Sequence, residues 1–90
     1  MKFPFKEKQI GKQLFLREFS ANVDEMDLIW HEDREDRIVH VLEGNKWKFQ
    51  FDELLPFEML DGIDIIIPKG IIHRIIKGSG PLKIKVYKDY

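Results

Sequence analysis

The sequence predicts an all-β domain, and two patterns carry that prediction. Short apolar runs recur at intervals of about eight to twelve residues and are separated by Gly, Pro, Asn or Asp, which is typical of a β-sandwich or barrel. No stretch has the apolar period of a helix of normal length. We therefore expect the 90 residues to form a single domain, with residues 1–11 as an N-terminal arm, because a chain of this size has room for one core.

Four strands are predicted in the first part of the chain: Gln13–Phe19, Met26–His31, Arg37–Leu42 and the aromatic run from Trp47 to Phe51. In the aromatic run every second residue is polar, so one face is expected to be buried and the other wet. Between the third and fourth strands, Gly44-Asn45 predicts a hairpin turn, because glycine can supply positive φ at the first central position of a type II′ turn.

Four more strands are predicted in the second part: Leu55–Met59, Ile63–Ile67, Ile71–Ile76 and Leu82–Tyr87. Pro56 removes a backbone donor from the first of these, which suggests a strand at a sheet edge. The two isoleucine-rich runs are apolar on both faces, so we expect a second sheet or a dimer partner to cover them. Leu82–Tyr87 alternates again, with one apolar face.

The spacing from Gly62 to His73 is the most informative motif of the chain. Gly62, Pro68, Gly70 and His73 follow the order G-x-x-x-x-x-P-x-G-x-x-H. Proline suits a strand end and glycine can take the positive φ of a sharp reversal. The motif therefore predicts two strands joined by a tight turn, with His73 at the start of the return strand.

This spacing resembles the second motif of the cupin superfamily, with Lys77 in place of the final asparagine. The first cupin motif can be laid from His31 to Gly44, with Asp33 at its second histidine and Arg37 at its glutamate. Its leading glycine is replaced by Glu25. The resemblance implies a cupin-like jelly-roll barrel of about seven or eight mostly antiparallel strands.

The resemblance also implies a divalent metal held inside the barrel. Carried over residue by residue, it gives His31 and His73 as ligands and Asp33 as an oxygen ligand, completing a two-histidine, one-carboxylate set suited to Fe, Mn, Ni or Zn. It does not give Arg37, because a guanidinium stays protonated and has no lone pair to donate. Glu35 or Asp36 could replace the missing glutamate if the loop tightens by one residue.

A metal-free arrangement competes with this one. Arg37 could pair with Asp33, so that the interior holds an ion pair in place of a metal. Where a metal is present, Arg37 fits substrate binding better, as an anchor for a carboxylate or phosphate. Trp47 and Phe49 are expected in the core, with a ligand-pocket wall as the lesser alternative, and His40 on the opposite, outer face.

Composition narrows the remaining classes of function. The chain has 15 basic and 16 acidic residues, so its net charge gives no attraction to nucleic acid or to an anionic membrane. Without cysteine, a metal must be held by nitrogen and oxygen. The N-terminus has no signal-peptide pattern, and no segment approaches the roughly 20 apolar residues of a membrane span, so we expect a soluble cytoplasmic protein.

These observations favour a small cupin-like protein, expected as a homodimer, that binds a divalent metal and a small polar or anionic molecule. The sequence leaves open whether it is an enzyme. The alternative is a metal-free, degenerate cupin that acts as a ligand-binding or protein-interaction module.

Overall fold

The computed structural model describes residues 3–90, so Met1 and Lys2 of the predicted arm lie outside the described residues. Eight strands and one short 3₁₀ helix make up its secondary structure. The strands are β1 (Lys6–Gln9), β2 (Leu14–Phe19), β3 (Asp36–Glu43), β4 (Lys48–Phe51), β5 (Phe57–Glu58), β6 (Asp64–Ile67), β7 (His73–Ile76) and β8 (Leu82–Asp89). The prediction of an all-β, jelly-roll architecture is confirmed.

The strands form two sheets in which every pairing is antiparallel. A five-stranded sheet has the order β1-β2-β8-β3-β6, and a three-stranded sheet has the order β5-β4-β7. The named strands of the two sheets are not hydrogen-bonded to one another, so the sheets face each other without closing into a continuous barrel. An isolated bridge joins His31 to His73 at one end.

Alternation along the strands decides which side chains enter the space between the sheets. Val39 and Val41 on β3 lie opposite Val86 and Ile84 on β8, and all four are buried. From the smaller sheet Phe49 reaches the same space and is 2% exposed. The buried apolar cluster is Phe19, Val23, Val39, Val41, Trp47, Phe49, Met59, Ile65, Ile67, Leu82, Ile84 and Val86.

The connection from β3 to β4 differs from the predicted hairpin. Positive φ falls on Asn45 (46°) and Lys46 (69°), and the N–H of Trp47 donates to the carbonyl of Gly44 at 2.9 Å. Positive φ at both central residues is typical of a type I′ turn rather than type II′. Gly44 is needed for another reason, since a Cβ at this position would lie 1.7 Å from the Met59 carbonyl oxygen.

The predicted strand Met26–His31 is wrong. Glu25–Asp27 forms a 3₁₀ turn, because the Asp24 carboxylate accepts a hydrogen bond from the N–H of Met26 at 2.9 Å and caps it. The residues from there to β3 are irregular except for the bridge at His31. Conversely, the arm contains β1, which pairs with β2 and was not predicted.

The edge prediction for the proline-containing run is confirmed, since β5 is an outer strand of its sheet. Within the described residues, no helix has the length and apolar character needed to cross a membrane.

Candidate metal centre

The turn between β6 and β7 has the predicted form. Ile67 ends β6, Pro68 follows, and Gly70 has φ of 77°. The N–H of Ile71 donates to the carbonyl of Pro68 at 3.2 Å and closes the reversal. His73 is then the first residue of β7, and its side chain is 4% exposed.

The isolated bridge brings His31 to His73. The backbone N–H of each histidine donates to the carbonyl of the other, at 3.0 and 2.9 Å. The two imidazole rings lie edge to face, with centroids 4.4 Å apart. The residues around His31 do not form a strand, so the predicted alternation does not position its side chain. A pair of backbone hydrogen bonds to His73 on β7 positions it instead.

Asp33 is held by the same turn. Its backbone carbonyl accepts a hydrogen bond from the N–H of Gly70 at 2.9 Å, and its side chain is 5% exposed. A buried carboxylate is costly unless a cation or hydrogen-bond donors compensate its charge. The turn that delivers His73 thus also fixes the carboxylate beside it.

His31, Asp33 and His73 place one potential ligand atom each within 4.8 Å of the others. The two shortest separations to the carboxylate are His73 Nε2 to Oδ2 at 3.4 Å and His31 Nε2 to Oδ1 at 3.9 Å. Ligands about 2.1 Å from a tetrahedral metal lie about 3.4 Å from one another. The spacing therefore fits a metal, with a small inward movement of His31.

The hydrogen bonds of the two rings determine which nitrogen faces the carboxylate as an acceptor. Nδ1 of His31 lies 3.0 Å from the carbonyl of Ile29, and Nδ1 of His73 lies 2.8 Å from the carbonyl of Ile71. A carbonyl can only accept, so each Nδ1 carries the proton, and in the neutral ring each Nε2 is left with a lone pair. Metal-binding histidines typically use this arrangement.

Three acceptor groups consequently converge on one point. Asp33 Oδ2 is buried and has no hydrogen-bond partner among the described residues. Protonation of His73 would relieve this, but its pKa is lowered, chiefly by burial and further by the nearby His31, against the raising effects of the Ile71 carbonyl and Asp33. The donor set and the unsatisfied oxygen therefore fit a bound cation.

Arg37 stands where the first cupin motif has its glutamate, and its guanidinium places a positive charge beside Asp33. Its Nη1 lies 3.2 Å from Asp33 Oδ1, and its Nη2 lies 3.5 Å from Glu35 Oε1. Asp36 is engaged elsewhere, because its carboxylate accepts from the N–H of Lys69 at 2.8 Å. Neither Glu35 nor Asp36 joins the three converging groups, so neither stands in for the missing glutamate in this structure.

A cavity of about 560 Å³ lies next to the three groups and opens between the sheets. Phe49 lines it, and its ring stacks on that of His73 at 5.4 Å between centroids. Trp47 does not line it, since the indole is fully buried and its Nε1 donates to the carbonyl of Gly80 at 2.7 Å. Of the two aromatic residues considered for the pocket wall, only Phe49 is placed there.

Four charged residues of the cavity were not predicted from the sequence: Glu7 on β1, Arg17 on β2, Asp27 in the 3₁₀ turn and Lys88 on β8. Arg17 Nε and Nη2 donate to Glu7 Oε1 at 3.0 and 2.6 Å, and Lys88 Nζ lies 4.0 Å from the same oxygen. Burial lowers the pKa of both Arg17 and Lys88. The signal was present, because Arg17 and Lys88 continue the inward-facing alternation of their strands.

Comparison with known proteins supports the fold. No family model and no curated protein matches the chain. Among solved structures, the cobalt(II) form of HppE in complex with Tris buffer matches over 99% of this chain and 55% of its own, with a TM-score of 0.77 and 10% identity. A cupin-2 domain protein from Shewanella frigidimarina matches over 96% and 79%, with a TM-score of 0.62 and 19% identity.

A structure of DMSP lyases matches over 86% of this chain, with a TM-score of 0.72 and 16% identity. The chain spans 37% of that lyase chain and 41% of an iron(II) HppE chain, so it corresponds to only part of those enzymes. At such identities the likeness concerns the fold alone. With the jelly-roll topology described above, it establishes that this chain has a cupin fold.

Proposed function

We propose that this cupin-fold domain binds a divalent first-row metal through His31, Asp33 and His73 and takes a small polar or anionic molecule into the adjoining cavity. The observation that carries the proposal is the convergence of two Nε2 lone pairs on a buried carboxylate whose Oδ2 has no other partner among the described residues. Such a set leaves open positions for a further ligand.

Each residue would contribute through a contact already in place. The carbonyls of Ile29 and Ile71 orient the two imidazoles, and the Gly70 N–H orients Asp33 through its backbone. Phe49 stacks on His73 and limits water on that side. When bound, the metal would polarise a ligand oxygen or lower the pKa of a water molecule.

The donor set indicates which metals to test. Two imidazole nitrogens and one carboxylate oxygen, without thiolate, suit Fe(II), Mn(II), Ni(II) and Zn(II). Two of the matched structures are described as iron(II) and cobalt(II) forms of HppE, which supports testing iron and cobalt first.

The metal-free alternative keeps a specific observation in its favour. Arg37 already lies 3.2 Å from Asp33 and offsets part of its charge. In that case the domain is a ligand-binding or protein-interaction module and the histidines are structural. Substitution Arg37→Glu separates the two: it should raise metal uptake at an incomplete metal site, and should only destabilise a structural ion pair.

Elemental analysis of the untagged protein tests the proposal directly. We expect close to one equivalent of metal per chain in the wild type, and its loss in both His31→Ala and His73→Ala. His40→Ala is the matched control, because His40 lies on the outer face and contacts Asp64 at 2.7 Å, away from the cavity. No metal after incubation with iron, manganese, nickel, cobalt and zinc would overturn the metal-binding proposal.

The proposed homodimer rests on the outer face of the larger sheet. Leu14, Tyr87, Ile38 and Ile66 lie in one cross-strand row over four neighbouring strands. Ile66 is 67% exposed and Ile38 is 41% exposed. A continuous apolar row of this kind would be removed from water by a second copy of the sheet.

A further inference from the structure

Arg37 and Lys88 form an unusual pair on the wall of the cavity. They are direct cross-strand neighbours on β3 and β8, and both line the cavity. Their side chains are only 16% and 13% exposed. The backbone N–H of Lys88 donates to Gln13 on the far side, so towards β3 this is a non-hydrogen-bonded pair, the kind in which side chains lie closer.

Two like charges placed directly opposite each other on neighbouring strands destabilise a sheet. Burial strengthens the repulsion, because the local dielectric constant is lower than that of water. The pKa of Lys88 is lowered, first by burial and then also by Arg37 and Arg17, against the raising effect of Glu7. An arrangement that costs stability in the free protein is expected where a ligand later compensates it.

The carboxylates within reach are mostly committed to other partners. Glu7 Oε1 accepts two hydrogen bonds from Arg17, and Lys88 Nζ lies 4.0 Å away, at the outer limit of an ion pair. Arg37 contacts Asp33 and Glu35, but its Nε is buried and has no hydrogen-bond partner among the described residues. Arg37 therefore keeps one unused donor, its buried Nε, while Lys88 Nζ lies 4.4 Å from the centre of the Phe15 ring and has only the distant Glu7 carboxylate as an ion partner among the described residues.

Metal binding would leave the cationic side chains of the cavity with less compensating negative charge. If Asp33 binds the metal, its charge is shared with a dication and no longer offsets Arg37. The wall then presents three cations, Arg17, Arg37 and Lys88, while Glu7 remains bonded to Arg17. A small anion between Arg37 and Lys88 would restore the balance.

We propose that Arg37 and Lys88 together form an oxyanion subsite, which takes the carboxylate or phosphate group of a small organic acid while the rest of that molecule extends towards His31, Asp33 and His73. The subsite deepens the proposed function and rests on it for the part of the ligand that faces the metal. A cavity of about 560 Å³ is within the usual size for a small-molecule site.

Sulfate is a suitable probe, because it is a small dianion over the whole neutral pH range. Thermal unfolding of protein that has been incubated with metal is measured with increasing sulfate at constant ionic strength, with chloride as the reference. We expect the midpoint to rise by roughly 6–11 °C at ten times the dissociation constant. In Lys88→Met the rise should disappear, and in Lys88→Arg it should remain.

Lys85→Met is the matched control, since Lys85 lies on the same strand opposite His40 and does not line the cavity. An unchanged sulfate effect in Lys88→Met, or none in the wild type, overturns the subsite. If Lys88→Met does not fold, Lys88→Gln serves in the same comparison.

Metal content measured on the same samples separates this proposal from the previous one. Bound metal without a sulfate effect refutes the oxyanion subsite alone. A Lys88-dependent sulfate effect in protein that takes up no metal supports the subsite and refutes the metal centre alone.

Discussion

The two ends of the space between the sheets differ in what fills them. At one end Trp47, Leu82 and Val41 are fully buried and the indole Nε1 has its hydrogen-bond partner. At the other end, Asp33 Oδ2 and Arg37 Nε are buried without one among the described residues. The same two sheets thus build a well-packed apolar end and a polar end with unsatisfied groups. The difference indicates that one end stabilises the fold while the other is arranged for a ligand.

The largest expected effect lies at the apolar end. Trp47→Ala removes a fully buried side chain and leaves the Gly80 carbonyl without its donor. We expect a loss of about 3–5 kcal/mol in the free energy of unfolding, measured by urea denaturation. Leu55→Ala is the control, because Leu55 is 89% exposed and should change stability by less than about 0.5 kcal/mol. A small effect at Trp47 would mean that the apolar end is not tightly packed.

The next effect tests whether the polar end is stabilised by its ion pair when no metal is present. Arg37→Met leaves the buried Asp33 without the cation 3.2 Å away. We expect the metal-free protein to lose about 2–3 kcal/mol, because the remaining charge is uncompensated. Adding Asp33→Asn to Arg37→Met should recover part of the lost stability. The double-mutant cycle then gives the interaction energy between Arg37 and Asp33. Additive losses would show that the two residues do not interact.

A smaller effect is the contribution of His73 to the pH dependence of stability. Its pKa is lowered in the folded protein, mainly by burial. Above about pH 6.5 the imidazole is neutral in both states, whereas below it the unfolded chain takes up a proton that the folded protein resists. Stability should therefore be lost as the pH falls below about 6.5, by at most about 1.4 kcal/mol for each pH unit from this group.

Thermal unfolding in EDTA between pH 5 and 8 measures this contribution. The wild type should lose stability more steeply than His73→Gln, and the difference between the two curves isolates the histidine from other titrating groups. Equal slopes would contradict a buried, neutral His73.

The smallest effect on stability is expected outside both ends, on the outer face. Ile66→Asp changes a side chain that is 67% exposed in the single chain, so the free energy of unfolding of the monomer should change by less than about 0.5 kcal/mol. If the apolar row joins two copies, sedimentation velocity should change from dimer to monomer. A wild type that is monomeric at micromolar concentration would refute the homodimer, and a dimeric variant would place the interface elsewhere.

Local signals explain which elements were predicted correctly. Period-2 alternation marked β4 and β8, and the spacing of Pro68 and Gly70 marked the turn before His73, because strand faces and positive φ depend on neighbouring residues. The segment before β3 was wrongly predicted as a strand. Its apolar residues would suit a strand, but the Asp24 side chain caps a 3₁₀ turn there. The turn after β3 was located correctly, but its positive φ falls one residue later than predicted.

The residues alone were enough to predict the all-β class and the tight turn before His73, because alternation along a strand and a glycine turn are local properties. The resemblance to the cupin motifs added His31 and the jelly-roll architecture. The folded chain was needed to show that Gly70 anchors Asp33, that Arg37 lies opposite Lys88, and that Glu7 and Arg17 line the same cavity. These neighbours are far apart in the chain and meet through strand pairing. Their registers depend on the packing of the whole sheet, and no short stretch of sequence specifies them.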